Sequence, residues 1–142
     1  MPRVFLIALF AATMCAACGK DTTTSPTTTS APSKTAEVFG GTLGIGDSQF
    51  YSFSVYQAGT TEVTLLSLRP TGVLTTTLAT IVGLGLGTPS GTDCALRSAT
   101  PAAPALMKQL SVSLDPSTYC VKIADIGNLT TAVDYTVRVV HP

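Results

Sequence analysis

The chain has 142 residues, with eight Lys or Arg against eight Asp or Glu, one His and no Trp. A formal net charge of zero gives no electrostatic reason to bind nucleic acid, whose affinity rests on neutralised phosphates. The length suits one folded domain rather than two. Only 11% of residues are charged, and Thr, Ser and Gly are abundant, so the surface is expected to be hydroxyl-rich rather than ionic.

In chain order, Arg3 is followed by the apolar run Val4 to Met14, broken only by Thr13, and then by Cys15-Ala16-Ala17-Cys18. A basic start, a short apolar middle and small residues at a cut site are the build of an export signal. The apolar stretch is shorter than the roughly 20 helical residues that cross a bilayer, so residues 1–17 are expected to be a cleaved signal rather than a spanning helix.

Ala16, Ala17 and Cys18 match the lipobox of bacterial lipoproteins, and the stretch resembles that family's processing site; Cys15 stands where the family most often has Leu. The resemblance implies that Cys18 carries a thioether-linked diacylglyceride and becomes the first residue of the mature chain. A thiolate is the side chain nucleophilic enough for this step near neutral pH. Two or three acyl chains, at about 0.8 kcal/mol per buried CH₂, make such an anchor effectively permanent. Ordinary secretion with Cys18 left as a free thiol is the alternative. Gly19, where an Asp would favour inner-membrane retention in enteric lipoproteins, points to the outer membrane. The expected location is therefore the bacterial cell envelope, on its periplasmic or surface face.

Residues 18–35 form a tether in this scheme. From Gly19 to Thr35 no apolar side chain exceeds Ala31, while Thr, Ser, Pro26 and Pro32 dominate. Such a composition buries too little surface to offset chain ordering, so disorder is expected. An O-glycosylated stalk has the same composition; a plain linker is the simpler expectation.

From Ala36 the period is two and turn signals recur about every ten residues. Ala36 to Leu43 is a first strand, with Gly40-Gly41 marking an edge or a bulge, and Gly44 to Asp47 a turn. In the strand Gln49 to Gln57, Tyr51, Phe53 and Val55 share one face. After Ala58-Gly59, Glu62 to Leu68 is a strand whose alternation slips between Leu65 and Leu66, which means a bulge or two covered faces. Leu78 to Leu86 is a strand studded with Gly83 and Gly85. Its Gly-Leu-Gly-Leu-Gly run superficially matches a dinucleotide loop, but no helical pattern follows, only an expected loop from Thr88 to Gly91.

Cys94 to Ser98 is a short strand, Thr100 to Pro104 a break, and Leu106 to Leu114 a strand. Asp115-Pro116-Ser117 is a turn. Thr118 to Ile123 places Tyr119, Val121 and Ile123 inward, and Cys120 and Lys122 outward. After a loop from Asp125 to Thr131, Val133 to Val140 aligns Val133, Tyr135, Val137 and Val139. Eight strands in residues 36–142 with no helical stripe predict an all-β antiparallel β-sandwich, jelly-roll or Ig-like. Cys94 and Cys120 are the pair left once Cys15 and Cys18 are accounted for, and in an oxidising compartment a disulfide is expected, worth roughly 3.5 kcal/mol by chain entropy.

The segment Leu114-Asp115-Pro116-Ser117-Thr118-Tyr119-Cys120-Val121-Lys122-Ile123, with Asp134-Tyr135-Thr136-Val137-Arg138-Val139, resembles the bacterial pre-peptidase C-terminal domain. Phe39-Gly40-Gly41-Thr42-Leu43 and Phe50-Tyr51-Ser52-Phe53-Ser54-Val55 are similar to its opening strands. The resemblance implies a β-sandwich accessory module linked to substrate or surface binding, with calcium in some members. Ser117 departs from the family's usual Gly, and Cys120 from its aromatic or apolar residue. The second departure implies a disulfide-bearing branch.

No catalytic residue and no cofactor is expected. His141, one residue from the end, is expected at the surface, because a catalytic histidine must be held rigidly while terminal residues fray. Asp93, Asp125 and Asp134 lie in or next to loops, but calcium needs six to eight oxygens, and isolated solvated carboxylates are the expectation. Asn128-Leu129-Thr130 is a formal sequon, read as a loop asparagine shaping a turn. Tyr56 and Phe50 are candidates for stacking on sugar rings. The expected function is a non-enzymatic, lipid-anchored module that binds a carbohydrate or protein ligand. A structural or assembly role in an envelope complex, or regulation of a secreted peptidase, is the alternative.

Overall fold

A computed structural model describes residues 33–142 of the chain. Cys15, Cys18, the signal and nearly all of the tether lie outside the described residues. Eight strands follow one another: β1 (Thr35–Leu43), β2 (Ser48–Val55), β3 (Gly59–Pro70), β4 (Val82–Ser90), β5 (Asp93–Ala102), β6 (Leu110–Leu114), β7 (Ser117–Ala124) and β8 (Val133–His141). They form two four-stranded sheets, ordered β1-β8-β3-β6 and β2-β7-β4-β5, and every pairing is antiparallel. Only the β4–β5 hairpin stays within a sheet; each other connection passes to the opposite one. That winding is a jelly roll, the double Greek key of eight strands.

The expected alternation places the core. Phe53 and Val55 of β2, Tyr119, Val121 and Ile123 of β7, and Val133, Tyr135, Val137 and Val139 of β8 are all buried. Val82, Leu84 and Leu86 of β4 join them between the sheets, each leucine contributing about 2 kcal/mol relative to exposure. The slip in β3 is a bulge. Pairing with β8 runs Leu65 to Val137 and then Ser67 to Thr136, so Leu66 is the extra residue. The bulge returns Leu68 to the core, where it is fully buried.

On the side where edge strands β1 and β2 face each other, aromatic side chains close the sandwich. The Phe39 and Tyr51 rings stack at 4.9 Å. The Tyr51 hydroxyl donates to the Gly40 carbonyl at 2.9 Å and lies 2.8 Å from the Tyr135 hydroxyl. A Cβ on Gly41 would stand 2.8 Å from the Tyr51 oxygen, so a glycine leaves room for this pair. Burial, with the Tyr51 hydrogen bond, pushes the Tyr135 phenol well above its ordinary pKa.

Four expectations are corrected. Thr35, assigned to the tether, begins β1 and pairs with His141. Strand β4 starts at Val82 rather than Leu78 and runs on through Pro89 to Ser90; beyond Gly87 it has no β7 partner, so Pro89 has no ladder on that side to break. Strand β5 continues through Pro101 to Ala102, because an edge strand tolerates a missing N–H. Strand β6 begins at Leu110, while Leu106 lies outside it and is 88% exposed.

The start of β5 has the closest packing constraint in the fold. The β4–β5 register skips Arg97, going from Leu86 with Ser98 to Gly87 with Leu96. Past this bulge β5 bends over the outer face of β4. An added Cβ on Gly87 would sit 2.0 Å from the Ala95 carbonyl oxygen and 2.8 Å from the Leu96 Cα. The bend carries Cys94 past β4 to Cys120 on β7, where the two form a disulfide with Cα atoms 5.9 Å apart. Cys120 points outward as the alternation requires, yet it is fully buried, because the β5 segment covers it.

Gly87→Ala should therefore destabilise the fold by about 3 kcal/mol, the upper range for overpacking against backbone that cannot yield. Gly72→Ala, in the 71–81 loop with open space around it, should lose less, through its positive φ alone. Urea unfolding of the two variants checks the order.

Candidate functional site

Strand parity determines what the β2-β7-β4-β5 sheet shows to solvent. Leu84 and Leu86 point inward, so the outward positions of β4 are Gly83, Gly85 and Gly87. They stand opposite Ala124, Lys122 and Cys120 of β7 on one side. On the other side stand Pro101, Ala99 and Leu96 of β5. Backbone of β5 covers Gly87, and the other two outward glycines, Gly83 and Gly85, leave a furrow along the middle of the sheet.

Two adjoining hollows occupy it. One, of about 200 Å³, is lined by Gly83, Ala99, Thr100, Pro101 and Ile126. The other, of about 160 Å³, adds Gly85, Leu96, Lys122 and Ala124. They share Gly83, Ala99 and Ile126, so they form one trough. Its walls are half-exposed aliphatic side chains, Leu96 at 48% and Ile126 at 50%. Both lean over the glycine floor: a Cβ on Gly85 would meet a Leu96 methyl at 2.7 Å, and one on Gly83 the Ile126 methyl at 3.0 Å.

The one charge on the lining is internally matched. The Lys122 ammonium donates to the Asp93 carboxylate at 2.7 Å, and Asp93 also accepts the Cys94 N–H at 2.7 Å. These contacts, the lysine first, hold the Asp93 carboxyl below its ordinary pKa. The trough is thus an aliphatic slot with a neutral rim. It fits a branched or linear apolar side chain better than a sugar ring, which needs hydroxyl partners and a flat aromatic platform.

The Ile126 wall stands on a rigid loop. Asp125 accepts N–H groups from Gly46 at 2.8 Å, Gly127 at 2.9 Å, Asn128 at 3.0 Å and Leu129 at 3.2 Å. Its own N–H donates to the Asp47 carbonyl at 2.9 Å. One carboxylate therefore ties the β1–β2 turn to the β7–β8 loop, and those donors, Gly46 foremost, lower its pKa. Asn128 donates from its side-chain amide to the Ile81 carbonyl at 3.0 Å, which shapes the loop as expected.

The residues singled out from sequence are spread over the molecule. Asp93, Asp125 and Asp134 do not converge. Asp134 accepts the Thr42 hydroxyl at 2.7 Å and the Gly72 N–H at 3.3 Å on the other sheet. No three metal-ligating side chains gather among the described residues. Tyr56 is 81% exposed just past the end of β2, and Phe50 lies half-buried opposite Lys122.

His141 is not at the surface. It is 2% exposed, ends β8 on the inward face, and packs its ring 5.2 Å from that of Phe53. Its Nε2 lies 2.9 Å from a Glu37 oxygen and its Nδ1 3.0 Å from the Pro142 carbonyl. Fraying was the wrong premise, because the last strand pairs with β1 up to Thr35. Both ring nitrogens are engaged, which leaves neither to activate a hydroxyl. The trough itself was missed from sequence, although the outward parity of three glycines between buried leucines was its signal.

No family model matches the chain, and no curated protein matches it.

The depressed Asp125 pKa has a sign. Its contribution to stability is fully present above about pH 4, the unfolded carboxyl's range, and is lost as pH falls through the lower folded value. Asp125→Ala should lower the thermal midpoint at neutral pH, and the gap from wild type should shrink as pH falls below about 4. Thermal melts across that range, followed by circular dichroism, check both.

Proposed function

We propose that this chain is an exported, non-enzymatic lipoprotein of the bacterial envelope, anchored by lipid on Cys18, whose jelly roll binds a protein ligand through the glycine-floored trough. The observation that carries the binding half is the aliphatic lining of that trough, walled by Leu96 and Ile126. Burying one leucine-sized side chain there is worth about 1.5–3 kcal/mol, or roughly one to two decades of affinity. The anchoring half rests on the signal-like segment and the Ala16-Ala17-Cys18 ending. The likeness to pre-peptidase C-terminal domains, carried by residues of β6 to β8, supports an accessory role beside another envelope protein. A paired Cys94 and Cys120 accords with an oxidising compartment.

Glycan binding has one residue in its favour, the exposed Tyr56, and a single ring makes a poor sugar platform.

A photoreactive amino acid at Ala99, on the trough, should cross-link one envelope protein in intact cells. The same group at Thr42, on the opposite sheet, should not. Absence of a specific adduct from position 99, with a glycan-array signal abolished by Tyr56→Ala, would transfer the function to sugars. Separately, labelled palmitate should enter the wild-type chain and not Cys18→Ser; equal labelling of both, or of neither, removes the lipid anchor.

A further inference from the structure

The trough has one wall on a loop tied down by Asp125 and the other on the covering segment of β5. These two walls are not equally secured. Strand β4 is paired with β7 only from Gly83 to Gly87. Its last three residues, Thr88 to Ser90, pair with Ala95 to Asp93 alone. The tip of the β4–β5 hairpin is therefore a two-stranded ribbon attached to the rest of the sheet at its base. An isolated two-stranded hairpin is marginal in water.

Two contacts hold this ribbon down on β7. One is the Asp93–Lys122 ion pair, whose carboxylate is 61% exposed and whose worth is correspondingly small. The other is the Cys94–Cys120 disulfide. A hinge is also present: Arg97 is the unpaired bulge residue, and regular pairing resumes at Ser98. Leu96, the trough wall, lies between hinge and disulfide, with its side chain over Gly85.

We propose that the Cys94–Cys120 disulfide is a latch on the trough: oxidised, it holds Leu96 over Gly85; reduced, it frees the hairpin tip to swing about Arg97 and bare the glycine strip. The inference rests on the trough being the binding surface and adds how that surface is regulated. The reductant is a dithiol of the thiol–disulfide oxidoreductase class. Its thiolate attacks the Cys94 sulfur, because Cys94, at 4% exposure next to the exposed 91–93 turn, is the less enclosed half of a bond whose other half, Cys120, is fully buried. A mixed disulfide forms and Cys120 leaves as a thiolate that takes up a proton. The second thiol of the reductant then displaces Cys94, which also leaves as a thiolate and is protonated. The chain gains two electrons and two protons, and the dithiol becomes a disulfide.

The geometry localises the effect. The pairings of Val82 to Leu86 with Ala102 to Ser98, and of Gly83 to Gly87 with β7, do not depend on the latch. The core leucines Leu84 and Leu86 stay between the sheets. What moves is the segment ahead of Arg97 with residues 88–90; Leu96 leaves its partner Gly87, which stays on β7.

Hydrogen exchange and trypsin digestion of the purified exported protein, with and without dithiothreitol, test the latch. Reduction should speed exchange of the amides of Thr88, Ser90 and residues 93–96 by at least about tenfold, leave those of Leu84, Val121 and Val137 unchanged, and make the Arg97–Ser98 bond cleavable. The variant Cys94→Ala/Cys120→Ala should behave as the reduced protein without any reductant. Uniform acceleration throughout the sandwich would make the disulfide a global staple and overturn the proposal, as would unchanged exchange at 93–96. Cross-linking from Ala99 should be strongest in oxidised wild type and fall both in reduced wild type and in oxidised Leu96→Ala, which each lose the Leu96 wall. A latch confirmed by exchange while cross-linking never occurs would sink the trough and not the latch.

Discussion

The passage of β5 over Gly87 is the constraint on which the outer surface depends. A strand cannot cross its neighbour's face at van der Waals distance if a side chain stands beneath it. Here the Ala95 carbonyl occupies the place where a Cβ would be. Because the crossing is possible, Cys94 reaches β7, a strand that is not its neighbour in the sheet. The bulge at Arg97 supplies the bend, since an extra residue on one strand kinks it and sharpens the local twist. The covering segment, the disulfide and the trough wall are three consequences of one absent side chain.

Much of this architecture was legible from residue order, and the parts that were not have physical causes. In β2, β7 and β8 the alternation is clean because each has one face on the core and one outward, so Tyr51, Phe53, Val121 and Val137 reveal their direction directly. The extra residue in β3 was legible for the same reason: Leu65 and Leu66 cannot both obey a period of two. Pro101 misled because proline argues against a strand only where both sides are paired, and edge position is a property of the whole sheet. Leu106 misled because a lone exposed leucine carries no information about burial. His141 misled because its neighbour across the sheet, Thr35, is more than a hundred residues away in sequence. The failures at Pro101 and His141 concern long-range pairings that local pattern does not encode.

The two outer faces differ in kind. On the β1-β8-β3-β6 sheet, Thr42 donates to Asp134, and Glu62 is paired to Lys108 and, at 3.9 Å, to Lys34. The lysine hydrogen bond lowers the Glu62 pKa, and the face carries hydroxyls and charged side chains suited to water. On the other sheet the glycines remove side chains where polar ones would ordinarily stand. A sheet face of that kind neither repels an apolar partner nor holds a charged one. The glycine run, which invites comparison with a phosphate-binding loop, lies within a strand here, so its N–H groups are committed to ladders rather than gathered at a helix N-terminus.

A slot this small supplies one anchor, and one anchor of about 1.5–3 kcal/mol cannot by itself hold a soluble partner. The proposed lipid on Cys18 changes that arithmetic. Confinement to a membrane raises the effective concentration of anything held in the same membrane, so a weak contact becomes an occupied one without further surface. It also makes a modest change in the slot consequential. When most of the binding free energy comes from co-localisation, adding or removing a single leucine contact shifts occupancy across its midpoint. In the proposed scheme Leu96 is that contact, and the latch governing its position is the bond two residues before it.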